Sequence, residues 1–133
     1  MIAYFGDMEF EVNGWKVMTF TEFSRKSSAR WAEHEVIGEK PMSQFLGPEL
    51  DVVTFTVPLN ASYGLSPRHI MEMWLGYNRE GLAFPLIIGD KPLGVDKWVV
   101  IDINQEWGTV LNDGKLYSGS IDVTLKEYIS YYD

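Results

Sequence analysis

The sequence predicts a mainly β, α+β domain: a β-sandwich or barrel with one flanking helix. Three observations predict it. Hairpin signals stand near both ends, Asn13-Gly14 and Asn112-Asp113-Gly114. Between them, apolar and polar residues alternate over several segments, as half-buried strands require. Helical periodicity occurs in one stretch, residues 66–81, and a lone amphipathic helix is best buried over an opening or edge of a sheet. A length of 133 residues suits one domain, 1–133, and 46% hydrophobic residues suffice for a core.

The first strand is Asp7 to Val12, where Asp7, Glu9 and Glu11 alternate with Met8, Phe10 and Val12. Asn13-Gly14 follows at once and suits a type I′ turn, whose two central residues both need φ > 0. A two-residue loop there pairs Val12 with Trp15, Glu11 with Lys16 and Phe10 with Val17. Thr19 to Ile37 reads as two β-like pieces around an exposed polar span, Ser24-Arg25-Lys26-Ser27-Ser28. A solvated loop is a second reading. A long arm that orders against a neighbouring subunit is a third. Leu46-Gly47-Pro48 signals a turn. From Asp51 to Leu59, Val53, Phe55, Val57 and Leu59 share one face and Thr54 and Thr56 the other, with Pro58 at an edge or strand end.

Ser66-Pro67 opens the helix, as N-cap and first helical residue. Ile70, Met73, Trp74 and Tyr77 form its apolar face, widened by Met71 and Leu75. Gly81 ends it, with Arg79 in the last turn, where a cation suits the helix dipole. Phe84 to Ile88 is a short strand, and Lys91-Pro92 with Gly94 reads as a loop. The closing hairpin has Val99, Ile101, Ile103 and Trp107 on one parity, facing Tyr117, Ile121, Val123 and Leu125. A three-residue loop, Asn112-Asp113-Gly114, sets Ile101 opposite Leu125 and Ile103 opposite Val123, with Gly114 in the left-handed position.

Residue chemistry argues against most active sites. With no cysteine there is no disulfide, thiolate zinc site or cysteine nucleophile. No HExxH, GxxxxGK[ST] or GxSxG spacing is present. Asn112-Asp113-Gly114 begins like a calcium loop but lacks its ligand pattern. In a strand, His34 points away from both Glu33 and Glu35, which suits a solvated or interface strand or a pH-sensitive contact better than a metal site. The chain is therefore expected to be no enzyme and to need no cofactor or metal. No apolar run reaches the ~18–20 residues of a membrane span. The opening MIAYFGDMEF predicts no secretory signal. Eleven basic against nineteen acidic residues leave a net charge of −8, which argues against general nucleic-acid binding. The basic cluster Arg25, Lys26 and Arg30 is itself flanked by Glu22, Glu33 and Glu35.

The order of several short segments resembles the GpU-type tail protein family of contractile-tailed bacteriophages and phage-tail-like particles. They are Phe5-Gly6-Asp7 with Phe10-Glu11, Arg30-Trp31-Ala32-Glu33-His34-Glu35, and Gln44-Phe45-Leu46-Gly47-Pro48 before Asp51-Val52-Val53-Thr54-Phe55. Leu93-Gly94, Trp98-Val99-Val100 and Asn112-Asp113-Gly114-Lys115 follow, before Ile121 to Tyr128. The pattern departs at residues 58–66, where a glycine-rich connection is expected.

The resemblance implies a tail-tube-like fold and a structural virion protein. It implies a hexameric ring at the baseplate end of the tail tube, between hub and tube, acting in tail assembly in the bacterial host cytoplasm. Tail tube and hub proteins are then its partners, and DNA passes through without specific binding. A tail terminator at the head-side end is the alternative placement. A small ligand-binding β-module is the alternative class. Within the ring reading, Arg25, Lys26, Arg30 and Trp31 are the candidate subunit contacts, since Arg and Trp are enriched at interface hot spots. Asp102, Glu106 and Asp122, on the polar parity of the last hairpin, are the lumen candidates, with Asp7, Glu9 and Glu11 competing.

Overall fold

A computed structural model describes residues 2–12 and 16–130. The strands are β1 (Ala3–Phe5), β2 (Met8–Val12), β3 (Val17–Met18), β4 (Thr21–Lys26), β5 (Ala29–His34), β6 (Met42–Pro48) and β7 (Val52–Asn60). A single 3-10 turn (Ala61–Tyr63) and the helix α1 (Pro67–Glu80) follow, then β8 (Ala83–Ile88), β9 (Lys91–Trp107) and β10 (Ser118–Tyr128). Eight strands make one antiparallel sheet in the order β3-β2-β1-β8-β9-β10-β7-β4, and β5 pairs only with β6.

The sheet curls on itself. β2 and β7 stand five places apart in the strand order, yet the rings of Phe10 and Phe55 meet at 6.2 Å. Strand twist of fixed hand makes such curling the ordinary fate of a wide sheet. β3 and β4 remain its two edges. The helix fills the concave side. Trp74 is fully buried there and touches Phe5, Phe10, Phe55 and Tyr77. Ile70 and Met71 are buried beside it, whereas Met73, expected on the inner face, is half-buried at its margin. Ser66 occupies the N-cap position without a side-chain capping bond, and Gly81 closes the helix at φ 63°.

Val53, Phe55, Val57 and Leu59 are buried as their alternation requires. Pro58 lies opposite Ser120 of β10, beyond the last pairing of β7 with β4 at Thr56, so a missing N–H costs no ladder bond on that side.

Four expectations are corrected. The first hairpin pairs Val12 with Val17 and Glu11 with Met18, two residues out of the expected register. The longer connection keeps the same parity, and its Asn13, Gly14 and Trp15 lie outside the described residues. Leu46-Gly47-Pro48 is no turn but the end of β6, where Gly47 takes φ 126° beside a bulge opposite Arg30 and Trp31. Lys91, Pro92 and Leu93 are ladder residues of β9, because Gly89 and Asp90, at φ 59° and 65°, close a two-residue hairpin that sets Ile88 against Lys91. Residues 94–97 then bow out of the ladder with β8 before Trp98 pairs with Phe84, while Lys97 already pairs with Tyr128 of β10.

The fourth correction concerns the closing hairpin. Leu111 N–H reaches Lys115 O around the three-residue loop, and the expected register holds from there to Asp102 opposite Thr124. A bulge then sets Val100, not Ile101, opposite Leu125. Ile101 is left unpaired and 48% exposed, while Trp98 and Val100 turn inward. The helix holds the bulge in place: Asn78 Nδ2 donates to the Val100 carbonyl at 3.0 Å.

Candidate assembly surfaces

β5 and β6 continue the β4–β7 pair past the end of the sheet. Glu49 N–H donates to Ser28 O at 2.9 Å, carrying the ladder across the junction. The result is a two-stranded arm with residues 35–41 at its tip. Almost every residue on it is exposed. Trp31 and Phe45 form an edge-to-face pair at 5.2 Å but remain 59% and 56% exposed. Met42, Leu46 and Ile37 are exposed too. A two-stranded ribbon alone in water is marginal at best, and exposed apolar side chains in this number make the arm a candidate contact surface. His34, the sequence's one ambiguous histidine, faces Gln44 on the arm, Nε2 to Oε1 at 2.7 Å.

The four candidate contact residues separate. Trp31 lies on the arm. Arg30 lies at its root, opposite Gly47. Arg25 is held by its own chain: Nε donates to Asp51 Oδ2 at 2.8 Å and the second guanidinium nitrogen stands at 2.6 Å. Lys26 follows Arg25 on β4, so alternation sends it to the other face.

Asp51 and Glu127 complete the root. Both are buried; Asp51 N–H donates to Glu127 Oε1 at 2.8 Å, and Glu127 N–H to Asp51 O at 3.0 Å. The sequence carried a signal for this pair. Asp51 shares the inward parity of Val53, and Glu127 that of Leu125.

Asp102, Glu106 and Asp122 do come together. All lie on the outer face formed by β9, β10 and β7. Asp122 is opposite Asn104 and Thr56, Glu106 opposite Ser120, and Asp102 opposite Thr124. Thr56 Oγ1 donates to Asp122 Oδ1 at 2.7 Å, and Asn104 Nδ2 lies 3.4 Å from Oδ2. Ser24 and Thr54 hydroxyls bond at 3.1 Å beside them. The face is hydroxyl-rich and anionic, and Lys26 and Lys126 sit opposite Val52 at its arm end. Glu9 and Glu11, the competing carboxylates, lie on β2 in the other half of the sheet, and Asp7 just ahead of it.

No cluster of His, Asp and Glu suited to a metal occurs among the described residues, and none of their helices is long and apolar enough to cross a membrane. One ionisable group is clearly perturbed. Burial pushes the Tyr77 phenol above its usual range; its oxygen accepts the Asp7 N–H at 3.3 Å, which opposes the rise, and the Asp7 charge adds to it. That group ties the helix to the β1–β2 turn, away from either surface.

Comparison with known families gives one match of high coverage: the Phage P2 GpU family model matches residues 6–130. Among curated proteins, no sequence matches the chain.

Proposed function

The chain belongs to the Phage P2 GpU family, whose members are structural proteins of phage tails, and from that membership we propose that it forms a ring at the baseplate end of the tail tube. Its place is the virion tail. In this reading six copies close a ring between hub and tube, and the arm of each grips the next. The arm carries the proposal. A ribbon with Trp31, Phe45, Met42 and Ile37 in water buries none of them in its own chain, and a neighbouring copy supplies the missing surface. Contacts that differ on the two partners propagate head to tail and close when the rotation allows.

The outer face of β9, β10 and β7 then lines the bore. Phosphates carry one charge per ~1.7 Å of duplex, so a basic wall holds DNA and an anionic wall lets it slide.

Native mass spectrometry tests the ring. Six copies of 15.2 kDa give a species of about 91 kDa, alone or with the hub protein added. A protein that stays monomeric at high concentration and fails to join hub or tube overturns the reading. Cryo-electron microscopy of the assembled tail distinguishes the baseplate end from the head-side end.

A further inference from the structure

A cleft of about 550 Å³ opens at the root of the arm. Pro48, Leu50, Val95 and Ile129 give it apolar walls, and Val95, on the bow at 94–97, is 81% exposed. Arg25 and Arg30 reach it, as do the carboxylates of Glu49, Asp51 and Glu127. These charges are not equivalent. Asp51 is paired with Arg25, and Glu127 is buried and accepts the Asp51 N–H. Glu49 is exposed and, among the described residues, accepts only the N–H of Leu50, at 3.1 Å. Arg30 has no ion-pair partner among the described residues. The cleft mouth thus offers one free guanidinium, one exposed carboxylate and an apolar lining.

The other end of the same arm carries the complement. Ile37 stands fully exposed in a turn braced by Glu39 N–H to Val36 O at 3.2 Å. Around it are Glu35, Glu39 and Lys40, all exposed. Tip and cleft therefore match in both signs of charge and in apolar character.

We infer that the arm tip of one copy plugs the root cleft of the next, with Ile37 against Val95 and Leu50, an acid of the tip on Arg30, and Lys40 beside Glu49. This contact rests on the ring reading and names the surfaces that join within it. The tip cannot fill its own cleft: at ~3.3 Å per residue, the six strand residues of Ala29–His34 hold it on the order of 20 Å away. That reach exceeds the radius of gyration of a 133-residue domain, about 14 Å, and carries the tip clear of its own body. A tip seated in the neighbouring cleft therefore leaves two bodies side by side. Donor and acceptor sit at opposite ends of one element, which is the arrangement that makes a heterologous contact.

The absence of cysteine makes the test direct. The I37C/V95C variant carries only the two thiols in question, and a disulfide forms only where their Cβ atoms come within ~3.5–4.5 Å. Mild oxidation, followed by a denaturing gel without reductant, is run beside native mass spectrometry of the same sample. A ladder of covalent oligomers ending at the ring size is expected; reductant collapses it, and I37C or V95C alone gives no species beyond a dimer. Rings without a ladder overturn the tip-in-cleft contact and leave the ring reading intact. Monomers without a ladder overturn both.

Discussion

Trp74 is where four aromatic rings converge, with Phe5, Phe10, Phe55 and Tyr77 at centroid distances of 5.8–6.3 Å. Its indole is fully buried, and its Nε1 has no hydrogen-bond partner among the described residues. Trp74→Ala should cost about 3–5 kcal/mol, the usual range for truncating a buried aromatic, read as a drop in melting temperature. Trp74→Phe should cost less than Trp74→Ala, because it removes the same unpaired donor but leaves a smaller void. Tyr77 makes a prediction about pH. An unfolded phenol ionises near pH 10, and burial raises the folded value above that. The neutral phenol therefore contributes its full stability below pH 10, and this contribution is lost as pH rises through the folded value. Denaturant midpoints should fall above pH 10 in the wild type and fall less steeply in Tyr77→Phe. Arg25 shows how burial reassigns a surface charge. Reversing it strands Asp51 in a buried site, so assembly is better probed at Lys26 and Arg30.

At the scale of the element, the arm and the β9 strand behave oppositely. Among the described residues the side chains of Trp31 and Phe45 pack on each other and stay more than half exposed, so Trp31→Ala with Phe45→Ala should leave the monomer's stability, read from its melting temperature, within about 0.5 kcal/mol of the wild type. The same pair should abolish or sharply weaken the 91 kDa species, measured by native mass at equal concentration. A large loss of monomer stability would show instead that the arm folds back on its own body. β9 is paired on both edges, by β8 and β10, and its irregularities are where periodicity misleads. Its parity runs correctly from the Asn112-Asp113-Gly114 loop to Asp102 and then inverts at Ile101. Nothing local marks that point. The bulge is stabilised by Asn78, twenty-two residues upstream in sequence, and by the need to bury Trp98 beneath Gly94, where a Cβ would lie 2.8 Å from the indole.

For the whole molecule, the curl of the sheet separates an aromatic interior from an anionic outer face. Six copies carry six times −8, or −48, and the outer faces of β9, β10 and β7 place part of this on one side of each copy. A like-charged wall acts on DNA within roughly a Debye length, ~8 Å at physiological salt. Replacing Asp102, Glu106 and Asp122 together by Lys changes each copy by +6, from −8 to −2. Assembled rings of that variant should retain duplex DNA at low salt in fluorescence anisotropy and release it as salt rises. The wild-type ring should show no retention in either condition. Equal behaviour of the two rings would place these carboxylates on the outer wall and leave solubility of the free subunit as the role of the charge.

What the sequence determined by itself was local. Alternation at Val53 to Leu59, the Ser66-Pro67 start and Gly81 stop of the helix, and the three-residue closing loop are set by neighbours within a few residues, so they could be read directly. The family resemblance rested on the same short segments in their order. The site was half legible. Trp31 and the basic cluster stood out by composition, and Asp102, Glu106 and Asp122 by parity, because strand geometry alone assigns a face. The tertiary structure decided the rest. It turned the span from Thr21 to Pro48 into the root and arm of one ribbon, paired Arg25 with Asp51, and exposed Phe45 and Ile37. It also brought Val95 and Ile129 to the arm's root to form the cleft. Those outcomes depend on which distant strands meet, β4 with β7 and β9 with β10. Pairing partners are chosen by the burial of the whole core, which no window of sequence contains.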